Sequence, residues 1–375
     1  MTDNSILYSI AYQRLTFHYP QMAACLLNEA GSASSVYENR HDIRSVLPEA
    51  SDGLCRMLAG NWDAERQRAE KEIEWCAKNK IRVLVPGMDD YPQRLLTCAD
   101  YPVALYYRGT ANLNAQQIIS VVGTRQSTTY GHDFLAHLVS DLHQMLPEAI
   151  IVSGLAYGID VCAHREALSA GAETIGVLAH GLDTMYPAAH RSVAAQMLKQ
   201  GGLLTEYMSE TPGERQNFLR RNRIVAGIAD CTVVVESMSH GGSLVTAGIA
   251  LDYGREVMAL PGSINNKSSE GCNRIIRSHQ ATLITSAQDL MNTMGWQSEQ
   301  AKDEHRAHGI QTQMFHDLTA EQQTVVNLLQ ESDMQINTLS RNTQIQIGRL
   351  TAVLFELEMK GLVKPLAGGM YHLIK

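Results

Sequence analysis

Net positive charge is the first thing this sequence lacks: 31 Lys and Arg stand against 39 Asp and Glu, a formal charge of −8 over 375 residues. Total charge therefore cannot draw in a polyanion, and any such site has to be local. Cysteine pairing is missing too. The seven cysteines stand far apart, with no C-x-x-C and no histidine at metal-ligand spacing, which argues against a zinc site and a disulfide scaffold and suits a reducing compartment. No apolar run reaches the length of a membrane span, and MTDNSILYSIAYQRL carries an acid where a secretory signal carries base, so the expectation is a cytoplasmic chain with no membrane partner. G-x-G-x-x-G, the G-K-[ST] phosphate loop and the G-x-S-x-G nucleophile elbow are all absent, which removes the main support for dinucleotide, nucleoside-triphosphate and esterase chemistry. No repeat unit recurs along the chain, which disfavours a solenoid.

What the chain does have, between residues 115 and 285, is one recurring grammar: a short β-branched apolar run, a turn with Gly or Ser, then a stretch with helical periodicity. IISVVG, AIIVSG, ETIGVLA, GGLLTE, CTVVVES and EVMALPG are the strand candidates, nearly all apolar, as strands buried on both faces are. The fold class expected is therefore α/β, a mostly parallel sheet with helices on both sides. Residues 1–85 lack such runs and read as a small helical domain, with Gly31 as the C-cap of PQMAACLLNEA. Residues 296–316 are polar and aperiodic, a linker. From 317 to 375, three amphipathic helices and a β-hairpin describe a winged helix, with Gly361 stopping the third helix and Ile345, Leu350, Val353, Leu354 and Leu357 marking its buried face.

Four segments fall where such a sheet binds ligands, beyond the carboxyl ends of its strands. VVGTRQSTTYG presents Gly123 and Arg125 in a strand-to-helix turn, with small hydroxyl residues placed to cap a helix starting near Tyr130. SGLAYGIDVCAH presents Ser153 and Gly154, with Asp160 opening a helix, His164 as a packing residue and Arg165 one position beyond it. FLRRNRIVAG carries Arg220, Arg221, Asn222 and Arg223; with Arg215, residues 215–223 hold four arginines and no acid. A solvated face is the ordinary reason for a charge run. Here the signs are unmixed, the following IVAGIA has to be buried, and arginine rather than lysine suits bidentate phosphate contacts. ESMSHGGSLVTAGIAL adds Gly242, Ser243 and Thr246 at another helix start. Asp160, Glu206 and Glu236 lie near strand ends, but spacing ties none of them to a nucleophile, so no catalytic residue, metal or cofactor is expected.

Taken together, VVGTRQSTTYG, SGLAYGIDVCAHREAL, TIGVLAHGLDTMYPAAH, FLRRNRIVAGIA, GGSLVTAGIAL and GREVMALPGSI resemble, in order and spacing, the DNA-processing protein A (DprA or Smf) family. The resemblance implies a helical (SAM-like) domain at 1–85, an extended Rossmann-type DNA-binding domain at 86–295 and the winged helix at 317–375. It implies a dimeric, non-enzymatic protein that binds and protects single-stranded DNA and helps load a RecA-type recombinase in natural transformation. Carried over by position, the DNA-binding residues it implies are Gly123, Arg125, Ser153, Gly154, Arg165, Arg220, Asn222, Arg223, Gly242, Ser243 and Thr246. The sequence departs from the family at Leu219, where a proline usually follows the phenylalanine, and at Arg165, usually a lysine. Base stacking is expected only from isolated residues such as Phe218 or Tyr157. The winged helix, with five Lys and Arg against six Asp and Glu, is expected to contact protein or simply to pack against the central domain rather than to bind duplex DNA. The competing reading is a phosphoribohydrolase-type enzyme using GGSLVTAGIAL, although that helix offers no acid before Asp252.

Overall fold

A computed structural model describes residues 3–297, 318–331, 334–360, 362–366 and 370–373. The linker from 298 onward, Gly361 and the Gly-Gly turn of the hairpin lie outside the described residues. By its contacts the chain divides into two compact units, Met1–Gln297 and Ser298–Lys375.

All six expected runs are strands: β3 (Ile118–Val122), β4 (Ile150–Ser153), β5 (Thr174–Val177), β6 (Gly201–Thr205), β7 (Cys231–Val234) and β8 (Glu256–Ala259). Three short strands were not foreseen: β1 (Arg82–Leu84) and β2 (Leu105–Gly109) toward one edge, β9 (Thr282–Leu283) at the other. The order across the sheet is β1-β2-β6-β5-β4-β3-β7-β8-β9. From β6 to β9 every pairing is parallel, while β2 joins β1 and β6 antiparallel. The chain winds outward from β3 through β6, then returns to lay β7 on the other side of β3. That reversal opens a crevice at the carboxyl ends of β3 and β7.

Successive residues of a strand face opposite sides, and the two cores follow from this. Ile118 and Val122 of β3 join one core, with α9 (Arg215–Gly227), α10 (Gly242–Asp252) and much of the N-terminal helical region. Ile119 and Val121 join the other, against α6 (Thr129–Met145), α7 (Ile159–Ala170) and α12 (Ala287–Met294). Each such fully buried Ile or Val contributes about 1.5–3 kcal/mol, which is why a sheet of short apolar strands needs helices on both faces.

Five helices precede the sheet: α1 (Asp3–Thr16), α2 (Pro20–Ala30), α3 (Ala33–Glu38), α4 (Asp52–Leu58) and α5 (Trp62–Lys78). Gly31 ends α2 in the left-handed region at φ 74°, as expected. Ser32, Ser51 and Asn61 cap α3, α4 and α5 with side-chain oxygens. Polar ties hold the helices to the sheet. The Gln13 amide donates to the Glu206 carbonyl (3.0 Å) and accepts from the Ala104 N–H (2.6 Å), and the buried Glu72 carboxylate accepts from the Ser209 N–H (2.7 Å).

The second unit has its own core. Helices Ala320–Glu331, Ile336–Thr343 and Ile347–Met359 are followed by strands Val363–Leu366 and Met370–Leu373, and the latter also pairs with Met334–Gln335. Leu350, Val353, Leu354 and Leu357 are buried as expected, while Ile345 precedes the helix and packs at the core's edge. The architecture is a winged helix.

Candidate nucleic-acid interface

Three loops and one helix meet at the crevice. The loop after β3 is shaped from across the sheet: the Glu236 carbonyl accepts from the Thr124 N–H (2.7 Å), and its carboxylate accepts from the Thr128 N–H (2.8 Å) and hydroxyl (2.7 Å). Sequence had suggested hydroxyl caps for α6. Thr128 is indeed the N-cap residue, but its hydroxyl goes to Glu236 instead, so the carboxylate takes over the capping role. Glu236 is thus a loop anchor, buried and without a reaction partner.

The loop after β4 packs directly on the first. Gly158 sits at φ 77°, and a Cβ there would lie 2.2 Å from the Thr124 carbonyl oxygen, so only glycine allows the two backbones this close. The Ile159 N–H donates to that same carbonyl (3.1 Å). α7 then begins, with Asp160 in its first turn facing the crevice.

The result is a cavity of about 310 Å³, bounded by the β3 and β4 loops, α9, and the loop leading into α10. Of the residues expected there, Gly123, Arg125, Gly154, Asn222, Gly242, Ser243 and Thr246 line it together. Four do not. Ser153 is fully buried behind the wall, donating to the Val121 carbonyl (2.6 Å) and so joining β4 to β3. Arg165 is exposed on α7, away from the cavity.

Arg220 leaves the other side of α9, donating to His18 Nδ1 (3.0 Å) with its guanidinium 4.9 Å from the Phe17 ring centre. Arg223 is buried in an ion pair with Glu206 and donates to the Asp100 carbonyl. Burial pulls its pKa down, but Glu206 and Asp100 outweigh that and hold it charged. Neither Arg220 nor Arg223 lines the cavity.

Arg221, the member of the run that had been passed over, does. It is 3% exposed and donates to the carbonyls of Gly154 (2.6 Å) and Val177, with no ion pair to a carboxylate among the described residues. Burial lowers its pKa, and the charge of Asp160 acts in the opposite sense. Asp160 in turn is pushed up by burial and pulled back by Arg221. The signal for Arg221 was present: it lies one helical turn before Val225, which belongs to the buried apolar run and also lines the cavity.

Phe218 stands between the two cavity arginines, with Arg125 and Arg221 at 5.8 and 5.9 Å from its ring centre and the Tyr186 ring against it at 5.6 Å. Tyr157 lies half-exposed against His190. Ser243 donates to the Ser237 hydroxyl (2.9 Å), so it has a hydroxyl neighbour rather than a base. Among the described residues no group of three or more His, Cys, Asp or Glu is placed to share a metal ion. His164 is fully buried, accepting from or donating to Thr174 (2.7 Å), and burial holds its pKa down at about 3. The chemistry of this cavity is that of an anion holder: two guanidinium groups, one carboxylate, glycine turns and an aromatic ring.

The sequence model of the family described as DNA recombination-mediator protein A matches residues 82–295, and that of the DprA winged helix domain matches 315–369. DNA processing protein DprA of Streptococcus pneumoniae is 38% identical over 206 residues, 54% of this chain and 71% of that protein. The solved structure of that organism's DNA processing protein A superposes with a TM-score of 0.58 at 29% identity, covering 75% of this chain and 97% of its own. A Helicobacter pylori DNA processing protein A, described for its unique single-stranded DNA binding mode, superposes with a TM-score of 0.52 at 28% identity, covering 57% and 95%. The chain belongs to the DNA recombination-mediator protein A family, known as DprA or Smf.

Proposed function

We propose that this protein binds single-stranded DNA at the cavity between β3, β7 and α9, protects the strand, and as a homodimer helps load a RecA-type recombinase onto it in the cytoplasm of a naturally transformable cell. It performs no chemistry on the strand. The observation that carries the reading is Arg221: a buried cation costs several kcal/mol to desolvate, and this one makes no ion pair to a carboxylate among the described residues, in the wall of a glycine-lined hollow that also holds the exposed Arg125. A phosphate supplies negative charge beyond that of Asp160, which leaves two guanidinium groups facing one carboxylate. The narrow, loop-lined shape suits a flexible single backbone over a stiff duplex, and the binding mode described for the Helicobacter pylori relative supports the same class of ligand. Arg125, Gly123, Gly154, Asn222 and the α10 start contact the backbone in this reading, and Phe218 offers a stacking surface.

The test is a gel-shift series of single- and double-stranded DNA across salt, with Arg125→Ala/Asn222→Ala alongside. Preference for the single strand, falling with salt and weakened in the variant, is the expected result. Failure to bind oligo-dT at moderate salt, or an unchanged variant, sinks the reading. Nuclease protection of the strand, sedimentation of the free protein and recombinase-filament nucleation then test the remaining parts.

A further inference from the structure

A second hollow, of about 240 Å³, opens where α1 ends against the residues that follow β6. Because β6 runs parallel to β5, β4 and β3, this hollow lies on the same carboxyl edge as the first cavity. The start of α9 stands between them. Phe218 lines the first cavity, whereas Arg220, two residues on, reaches Phe17 and His18, which line the second.

The charges around the second hollow sort themselves into pairs with one left over. Arg14 is paired with Glu65, and Glu206 with Arg223. Arg220 makes no direct ion pair among the described residues, and the Glu206 carboxylate that feels its charge is already held by Arg223; it rests on an aromatic ring and donates to an exposed histidine. Next in the chain, Tyr19 is 56% exposed. A guanidinium without a direct ion pair, seated on the half-buried Phe17 ring with exposed His18 and Tyr19 following in the chain, is a combination that holds phosphates and stacks bases of an unpaired strand. An α-helix with its side chains is about 10–12 Å across, a gap that a few nucleotides cover.

We propose that Arg220, Phe17, His18 and Tyr19 form a second nucleotide subsite, on the N-terminal helical region, where a single strand leaving the first cavity passes round α9, with a phosphate at Arg220 and a base against Tyr19. This rests on the reading of the first cavity as a single-strand site. It assigns the helical region a direct part in DNA binding, and it gives Arg220 a different contact from Arg125 and Arg221.

The test compares the full chain with Arg220→Glu/Tyr19→Ala, two surface changes, on oligo-dT of about six and about sixteen nucleotides, within the range a binding module covers. The long strand loses about tenfold or more in affinity and the short strand is unaffected. Equal losses at both lengths, or no loss, overturn the proposal while leaving the first cavity's role intact. If the unaltered protein binds neither length, the first reading fails and this one with it. Photo-crosslinking of iodouracil-substituted long strands to the unaltered protein gives a folding-independent readout: adducts in residues 17–19 are expected, and adducts confined to the first cavity refute the subsite.

Discussion

Arg221 and Arg125 share a cavity but differ in what holds them, and their substitutions separate binding from stability. Arg221 ties the carbonyls of Gly154 and Val177. In Arg221→Met both buried acceptors lose that donor, at about 1–3 kcal/mol each, so the urea midpoint falls along with DNA affinity. Arg125 is exposed, and its one described contact is the ring of Phe218. Arg125→Ala leaves stability within about 0.5 kcal/mol and lowers the salt slope of binding by about 0.7, the share of one phosphate on a single strand. Titration of DNA at several salt concentrations reads this out.

His164 adds a pH signature. The folded imidazole titrates at about 3 against an ordinary 6.5, so between those values the unfolded chain binds the extra proton. Stability is therefore fully present above pH 6.5 and is lost as pH falls toward 3, by about 1.4 kcal/mol per unit at most. Denaturation at pH 7, 6 and 5 shows that slope in the parent, and His164→Gln flattens it.

At the level of elements, the site is a matter of how closely two loops approach. Gly158 lets the β4 loop press on the Thr124 carbonyl, and Gly158→Ala has to separate them while holding a positive φ. The expected cost is about 1–3 kcal/mol or more, with loss of single-strand affinity because the Gly123–Arg125 turn moves. Gly248 of α10 is the matched control: a Cβ there meets nothing within 4 Å, and Gly248→Ala stabilises by about 0.5–1 kcal/mol. Thermal melts of the two variants distinguish a glycine required by contact from one that is merely present. Both glycines look alike in the sequence. What divides them is the backbone lying opposite, contributed from more than thirty positions away for Gly158. The same holds for Thr128, whose type announced a cap, whereas its partner Glu236 comes from β7's far end.

For the whole molecule, the two units have separate cores, and the second has no cationic surplus, with seven basic against nine acidic residues. A chain ending at Gln297 is accordingly expected to keep single-strand affinity within about twofold, with the same salt slope. A gel shift of the shortened protein checks this, and a large loss places part of the DNA contact on the winged helix. The family's domain order was legible because hydrophobic period changes along the chain, from helical to strand-like and back. β1 and β9 were not, since edge strands need no continuous apolar run; β2, paired on both sides, was missed although residues 103–107 are such a run, because it lies outside the strand–turn–helix grammar.

By itself the sequence determined the parallel sheet, through six apolar runs that can be buried only from both sides, and the winged helix, through the spacing of Leu350, Val353, Leu354 and Leu357. It also drew attention to the arginines after Phe218. Only the tertiary structure decided which of them lines the cavity. Each residue turns about 100° round a helix, so Arg220, Arg221 and Arg223 point in three directions. Which direction faces the cavity depends on what covers the other two: His18, some 202 positions away, for Arg220, and Glu206 across the sheet for Arg223. Local periodicity fixes the angles between side chains, and long-range packing alone fixes where each of them ends.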